Sequence, residues 1–104
     1  MKQNASTVVD ETRNDTKWLF PHGKVYWTPG VIRQVSLEDA GWSLARHLAG
    51  DWGDIDPDDW RQNDLALKRG GRLLSAYHTD AGRMVWVTTE ADRSVTTVFL
   101  SEEY

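Results

Sequence analysis

Cysteine is absent from these 104 residues. Disulfides and thiolate metal sites are therefore excluded, and the absence fits a reducing cytoplasm. Long apolar runs are missing too. No stretch approaches the roughly 18 residues of a membrane-crossing helix, and the opening MKQNASTVVDETRNDTK lacks the apolar core of a secretory signal. The expectation is a cytoplasmic protein with no membrane partner. Positive charge is in deficit: 12 Lys and Arg against 16 Asp and Glu leave a formal net charge of −4. That balance disfavours broad nucleic-acid binding, which needs a clustered basic surface to displace counterions, although a local basic patch stays compatible with it.

Catalytic signatures are equally scarce. His22, His47 and His78 fall on three different elements with no H-x-x-x-H or H-E-x-x-H spacing, so they form no zinc motif. There is no G-x-S-x-G turn, and Gly70-Gly71 lacks the spacing of a phosphate loop. The segment GDWGDIDPDDW, residues 50 to 60, holds five aspartates, and Asp54, Asp56 and Asp58 alternate as in a calcium loop. The loop fails in detail, because Asp59 stands where glycine is required, Leu65 where glutamate is required, and Pro57 interrupts the run. No metal site and no cofactor are expected.

What the chain does have is a core-forming composition, 39% hydrophobic and 27% charged, with six tryptophans. Those values predict one folded domain of ordinary size. Tryptophan combines a large apolar ring with an N–H that wants a partner, so several of the six are expected at the rim of the core or on a binding surface.

Residues 1–17 are polar and without period and read as a disordered arm; residues 18–104 read as a single α+β domain. Val25, Tyr26 and Trp27 favour a short strand, and Pro29-Gly30 marks a turn or a helix start. In SLEDAGWSLARHLAG, Ser36 and Asp39 form a shortened capping box and Gly50 is a stop. Leu37, Ala40, Gly41, Leu44 and Leu48 make the expected buried stripe, with Trp42 and His47 off it. A second helix starts with Asp56 as N-cap, Pro57 at the first position, and Asp58 and Asp59 on the positive pole of the dipole. It ends with Lys68, Arg69 and Gly70. Trp60, Asn63 and Leu67 share a face, so Asn63 is expected to be buried and hydrogen-bonded.

From Arg72 the period becomes two. RLLSAYH, RMVWVTTE and SVTTVFL predict an antiparallel meander with hairpins at TDAG and ADR. The predicted fold is two helices on this three-stranded meander, preceded by the short strand. If His78 faces Arg83 and Glu90 faces Val95, Leu74, Ala76, Val85, Val87, Val98 and Leu100 face the helices. Ser75, Tyr77, Met84, Trp86, Thr88, Glu90, Thr97 and Phe99 then lie on the second face, unless Trp27 and the WLF segment fold over it. A slip of one residue exchanges the two sets.

Two functional readings follow. Asp51, Trp52 and Asp54, which no helix cap requires, and the second-face residues Ser75, Tyr77, Trp86, Thr88 and Glu90 form an expected binding surface. A non-enzymatic interaction protein would use it to hold a protein partner, and a homodimer is compatible with it. The alternative is a metal-independent ribonuclease of barnase- or RelE-type architecture. Glu90 would be the base, Arg93 would hold the phosphate, His47 or His78 would be the acid, and Tyr77 and Trp86 would stack bases.

Across RHLAGDWGD, LLSAY, WVTTEADRS and TTVFLSEEY the chain resembles a family of small uncharacterised bacterial proteins. They are carried on plasmids and integrative elements and often bear the automatic label of type I restriction endonuclease subunit M. The resemblance spans roughly residues 24 to 104. The positions carrying it are His47, Gly50, Asp51, Trp52, Gly53, Asn63, Ser75, Tyr77, Trp86, Thr89, Glu90, Asp92, Arg93, Ser94, Thr96 and Tyr104. It implies a mobile-element setting, in which the chain would modulate a host defence or nucleic-acid-processing complex. The label's own activity needs a methyl-donor fold and an [ND]-P-P-[YF] motif, and these residues hold neither.

Overall fold

The computed structural model describes residues 18–104, and the arm expected over 1–17 lies outside the described residues. Strand β1 (Lys24–Trp27) leads into a short helix α1 (Pro29–Gln34), then α2 (Leu37–Leu48) and α3 (Pro57–Arg69). Strands β2 (Leu73–His78), β3 (Met84–Thr89) and β4 (Val95–Leu100) follow, with a final 3-10 turn over Ser101–Glu103. The class is α+β, as expected. Its layout differs: three helices accompany a four-stranded mixed sheet of order β1-β4-β3-β2, in which β1 runs parallel to β4. The added helix arises because the Thr28 hydroxyl accepts the Val31 N–H while Pro29, with its fixed φ, begins the first turn.

The register between β3 and β4 follows expectation, and the Glu90 N–H donates to the Val95 carbonyl at 3.0 Å. Between β2 and β3 it is slipped by one: His78 pairs with Met84, not Arg83. The cause is turn chemistry. The Thr79 N–H donates to the Arg83 carbonyl, so Thr79 and Arg83 close a loop of Asp80, Ala81 and Gly82, with Gly82 at φ 85°. That is a three-residue hairpin with glycine in the left-handed position, where the sequence reading assumed a four-residue turn.

The slip moves Ser75 and Tyr77 to the helix side, where they are 0% and 1% exposed. Leu74 and Ala76 pass to the second face. One core cluster joins Tyr77, Val85, Val87, Val98 and Leu100 to Val31 and Ala40 of the helices, with Trp27 against it. Another joins Phe20, Leu48, Trp52 and Leu73, with Trp60 and Leu67 of α3 beside it. Trp27 and the WLF segment therefore pack on the helix side and not over the second face, where Ala76, Thr88 and Phe99 are nonetheless buried. The buried stripe of α2 is also rotated from expectation. Ala40, Ser43, His47 and Leu48 are buried, whereas Leu37 is 85% exposed.

Candidate functional site

A strand at the edge of a sheet presents unpaired N–H and C=O groups, and proteins block such edges to prevent unwanted pairing. The outward groups of β2 are blocked along its length by the two segments the sequence singled out. Trp52 and Asp54 bracket Ala76: its N–H donates to the Trp52 carbonyl at 3.2 Å, and its carbonyl accepts the Asp54 N–H at 2.6 Å. Asn63 serves Leu74 in the same way, donating from Nδ2 to its carbonyl at 2.7 Å and accepting its N–H at 3.3 Å. Asp54 Oδ2 accepts the His78 N–H and lies 2.8 Å from His78 Nδ1. Gly53 at φ 78° allows this approach, since a Cβ there would lie 2.1 Å from the Ala76 carbonyl oxygen.

The remaining motif residues hold the loop in place. Asp51 pairs with Arg46 at 2.7 and 3.2 Å, and this hydrogen-bonded pair keeps its carboxyl below the usual range. Tyr77 donates its hydroxyl to the Asp51 carbonyl at 2.6 Å, and burial pushes its phenol above the ordinary range. Trp52 is fully buried, with its indole N–H donated to Asp64 at 3.0 Å.

His47, the expected acid of the ribonuclease reading, is sealed. Its Nδ1 lies 2.6 Å from Ser75 Oγ and its Nε2 2.9 Å from Thr89 Oγ1, which in turn lies 2.7 Å from Thr96 Oγ1. Thr96 donates to the His22 carbonyl at 2.8 Å. Each hydroxyl has one hydrogen, so counting back from that carbonyl makes Thr89 donate to Thr96 and accept from His47 Nε2–H. Ser75 then donates to Nδ1. The imidazole is neutral with both nitrogens used. Burial, followed by the charge of Arg93, pushes its pKa down to about 3.

Arg93 and Glu90 serve different neighbours. The Arg93 guanidinium donates to the carbonyls of Gly71 at 2.6 Å, Ala66 at 3.0 Å and Glu90 at 3.0 Å, fastening the β3–β4 turn to the end of α3. The Glu90 carboxylate lies 3.8 Å from Arg72 on the other side of the sheet. Phe20 separates Arg93 from His47, with its ring 5.5 Å from each. The four expected catalytic residues are thus not gathered around one open space.

The second face carries a ring cluster apart from the two helix-side clusters, with Phe99 buried at its base. Trp86 and Phe99 meet at 6.0 Å, and Tyr104 lies on both, at 4.9 and 5.7 Å. Glu103 positions Tyr104 by accepting from Leu100 N–H at 2.8 Å, Thr28 Oγ1 at 2.7 Å and Gly30 N–H at 3.2 Å. Among the described residues Trp86 Nε1 is buried without a partner. Tyr26 and Tyr104 are 53% and 70% exposed.

No family model, curated protein or solved structure matches this chain. The chemistry of the site is therefore read from its geometry. Of the expected binding residues, Trp86, Thr88 and Glu90 share the second face, with Thr88 buried there, whereas Ser75, Tyr77 and Trp52 are buried on the helix side. Asp51 and Asp54 serve the edge-blocking loop. Sequence reasoning passed over Tyr104 as part of the surface, because two of the Glu103 contacts that hold the C-terminal turn, to Thr28 and Gly30, join segments more than seventy residues apart.

The aspartates hold a second surprise. Asp56 has the backbone of an N-cap, with φ −61° and ψ 152°, but its side chain makes no capping hydrogen bond. Asp58 pairs with Arg61. Asp56 and Asp59 line a cleft of roughly 240 Å³ with Asp54, Leu74, Met84 and Trp86, so the acidic segment borders the second face. Among the described residues no group of histidines and carboxylates is gathered closely enough to hold a metal.

Proposed function

We propose that this protein is an interaction module that binds a protein partner through the second face of its sheet and modulates a host complex on behalf of a mobile element. The observation that carries the reading is the mutual contact of Trp86, Phe99 and Tyr104 on a face that no described helix covers. Aromatic clusters with neighbouring polar groups are the usual anchors of protein interfaces. The mobile-element setting comes from the family resemblance, and the acidic balance of the chain suits a protein partner better than a polyanion.

Photo-crosslinking tests it directly. A benzophenone amino acid placed at Thr97, on the second face, and separately at Arg61, on the solvent side of α3, is expressed in a host carrying the element. One protein crosslinked from Thr97 and not from Arg61 is the expected result. Equal capture at both positions, or none at Thr97, overturns the reading. RNA cleavage by the purified protein in EDTA that Glu90→Gln abolishes would replace it with the ribonuclease reading.

A further inference from the structure

The cleft between the start of α3 and the sheet has two chemically distinct sides. Leu74 and Met84 of the second face give it an apolar floor beside the Trp86 ring, while Asp54, Asp56 and Asp59 supply carboxylates at its rim. Asp54 is engaged by His78, but Asp56 and Asp59 make no side-chain hydrogen bond or ion pair among the described residues. The dipole at the start of α3 favours both charges there, yet uses none of their capacity to accept hydrogen bonds from a ligand.

We infer that this cleft receives an arginine side chain of the partner. The inference rests on the interaction reading above and adds the chemistry of the partner. Arginine fits both sides of the cleft. Its methylene stem suits the apolar floor, and its planar guanidinium can stack on an indole while presenting several N–H donors to carboxylates. Cations are attracted to the face of tryptophan more strongly than to other rings. A phosphate-bearing partner meets the wrong sign of charge, since unpaired carboxylates repel it.

The test uses the ¹⁵N-labelled full chain and two acetylated, amidated tripeptides: leucine-arginine-leucine, and leucine-citrulline-leucine, in which the side chain keeps its shape and loses its charge. The arginine peptide is expected to shift the Trp86 indole and Ile55 amide resonances in a saturable way, with at least tenfold tighter binding than the citrulline peptide. The Asp56→Asn/Asp59→Asn double variant is expected to erase that ratio while its spectrum stays folded. Equal binding of the two peptides, a ratio that survives the double variant, or no shift at Trp86 with either peptide each overturns the inference. The Thr97 crosslink separates the two levels. If it still captures one protein, the face binds a partner of other chemistry; if it captures nothing, the interaction reading has fallen as well.

Discussion

Acidification from pH 7 to pH 5 should destabilise this protein through one side chain, His47. A histidine in the unfolded chain titrates near 6.5, whereas in the folded protein burial and the nearby Arg93 charge hold the ring neutral down to about 3. Below pH 6.5 the unfolded chain therefore binds a proton that the folded chain refuses. Stability falls as pH falls, and the loss levels off only near pH 3. With these two values the penalty is about 2 kcal/mol at pH 5, and about 3 kcal/mol at pH 4. The carboxyls of Asp51, Asp54, Asp92 and Glu103 are held below the usual range by their hydrogen bonds, so in the folded chain they stay ionised from pH 7 to 5 and add little in this window. The assay is urea denaturation at half-unit steps from pH 7 to 5, comparing the wild type with His47→Gln. A glutamine amide can donate toward Thr89 and accept from Ser75, so it keeps the hydrogen-bond pattern and removes the titration. The wild type should lose about 2 kcal/mol across the window and the variant under about 0.5 kcal/mol. Parallel slopes for the two proteins would refute the assignment, as would an NMR titration placing His47 near 6.

Three further outcomes test the frame and the face. Gly53→Ala should cost about 2–4 kcal/mol in thermal unfolding, because alanine resists a φ of 78° and its Cβ would push Ala76 out of its bridge to the loop; an unchanged Tm would show that the loop does not hold the edge. Asn63→Ala leaves both outward groups of Leu74 without their partner, for a loss of about 2 kcal/mol, and hydrogen exchange at the Leu74 amide should speed up by at least tenfold. Trp86→Phe removes a buried N–H that has no partner among the described residues, so its stability in urea should stay within about 1 kcal/mol of wild type, while crosslinking from Thr97 weakens.

The class, the bounds of α2 and α3, and the meander were legible because capping residues and changes of period are local signals. Ser36 does accept the Asp39 N–H, and β3 pairs with β4 in the expected register. The departures have two causes: a partner distant in sequence, and one turn shorter than the local pattern suggests. Helical spacing puts His47 off the expected stripe of α2, but Ser75 and Thr89, on two different strands, satisfy both its nitrogens and let it be buried. The slip at Thr79 was a smaller matter of loop length, yet it moved Ser75 and Tyr77 from the binding surface to the core, because side-chain direction in a strand alternates at every residue. The parallel pairing of β1 with β4 has no sequence signal at all in a strand of four residues.

The residues that the sequence analysis singles out divide unequally between frame and face, and the division bears on what they can say about function. Asp51, Trp52 and Gly53 build the edge block, and Asn63 completes it. His47, Ser75, Thr89 and Thr96 form one hydrogen-bonded chain through the interior, Tyr77 anchors the loop, and Arg93 ties the last hairpin to α3. Each looks like site chemistry when read as a motif, because a buried polar network and a catalytic site draw on the same side chains. The structure uses them to satisfy groups that would otherwise be buried unpaired, at a cost of about 1–3 kcal/mol for each group left so. Trp86 and Tyr104 stand apart from that accounting. They touch each other on the second face, Tyr104 is mostly exposed, and the Trp86 N–H has no partner among the described residues, so neither is placed where it best serves stability. A ring kept at such a position is better explained by what it meets from outside than by what it holds inside.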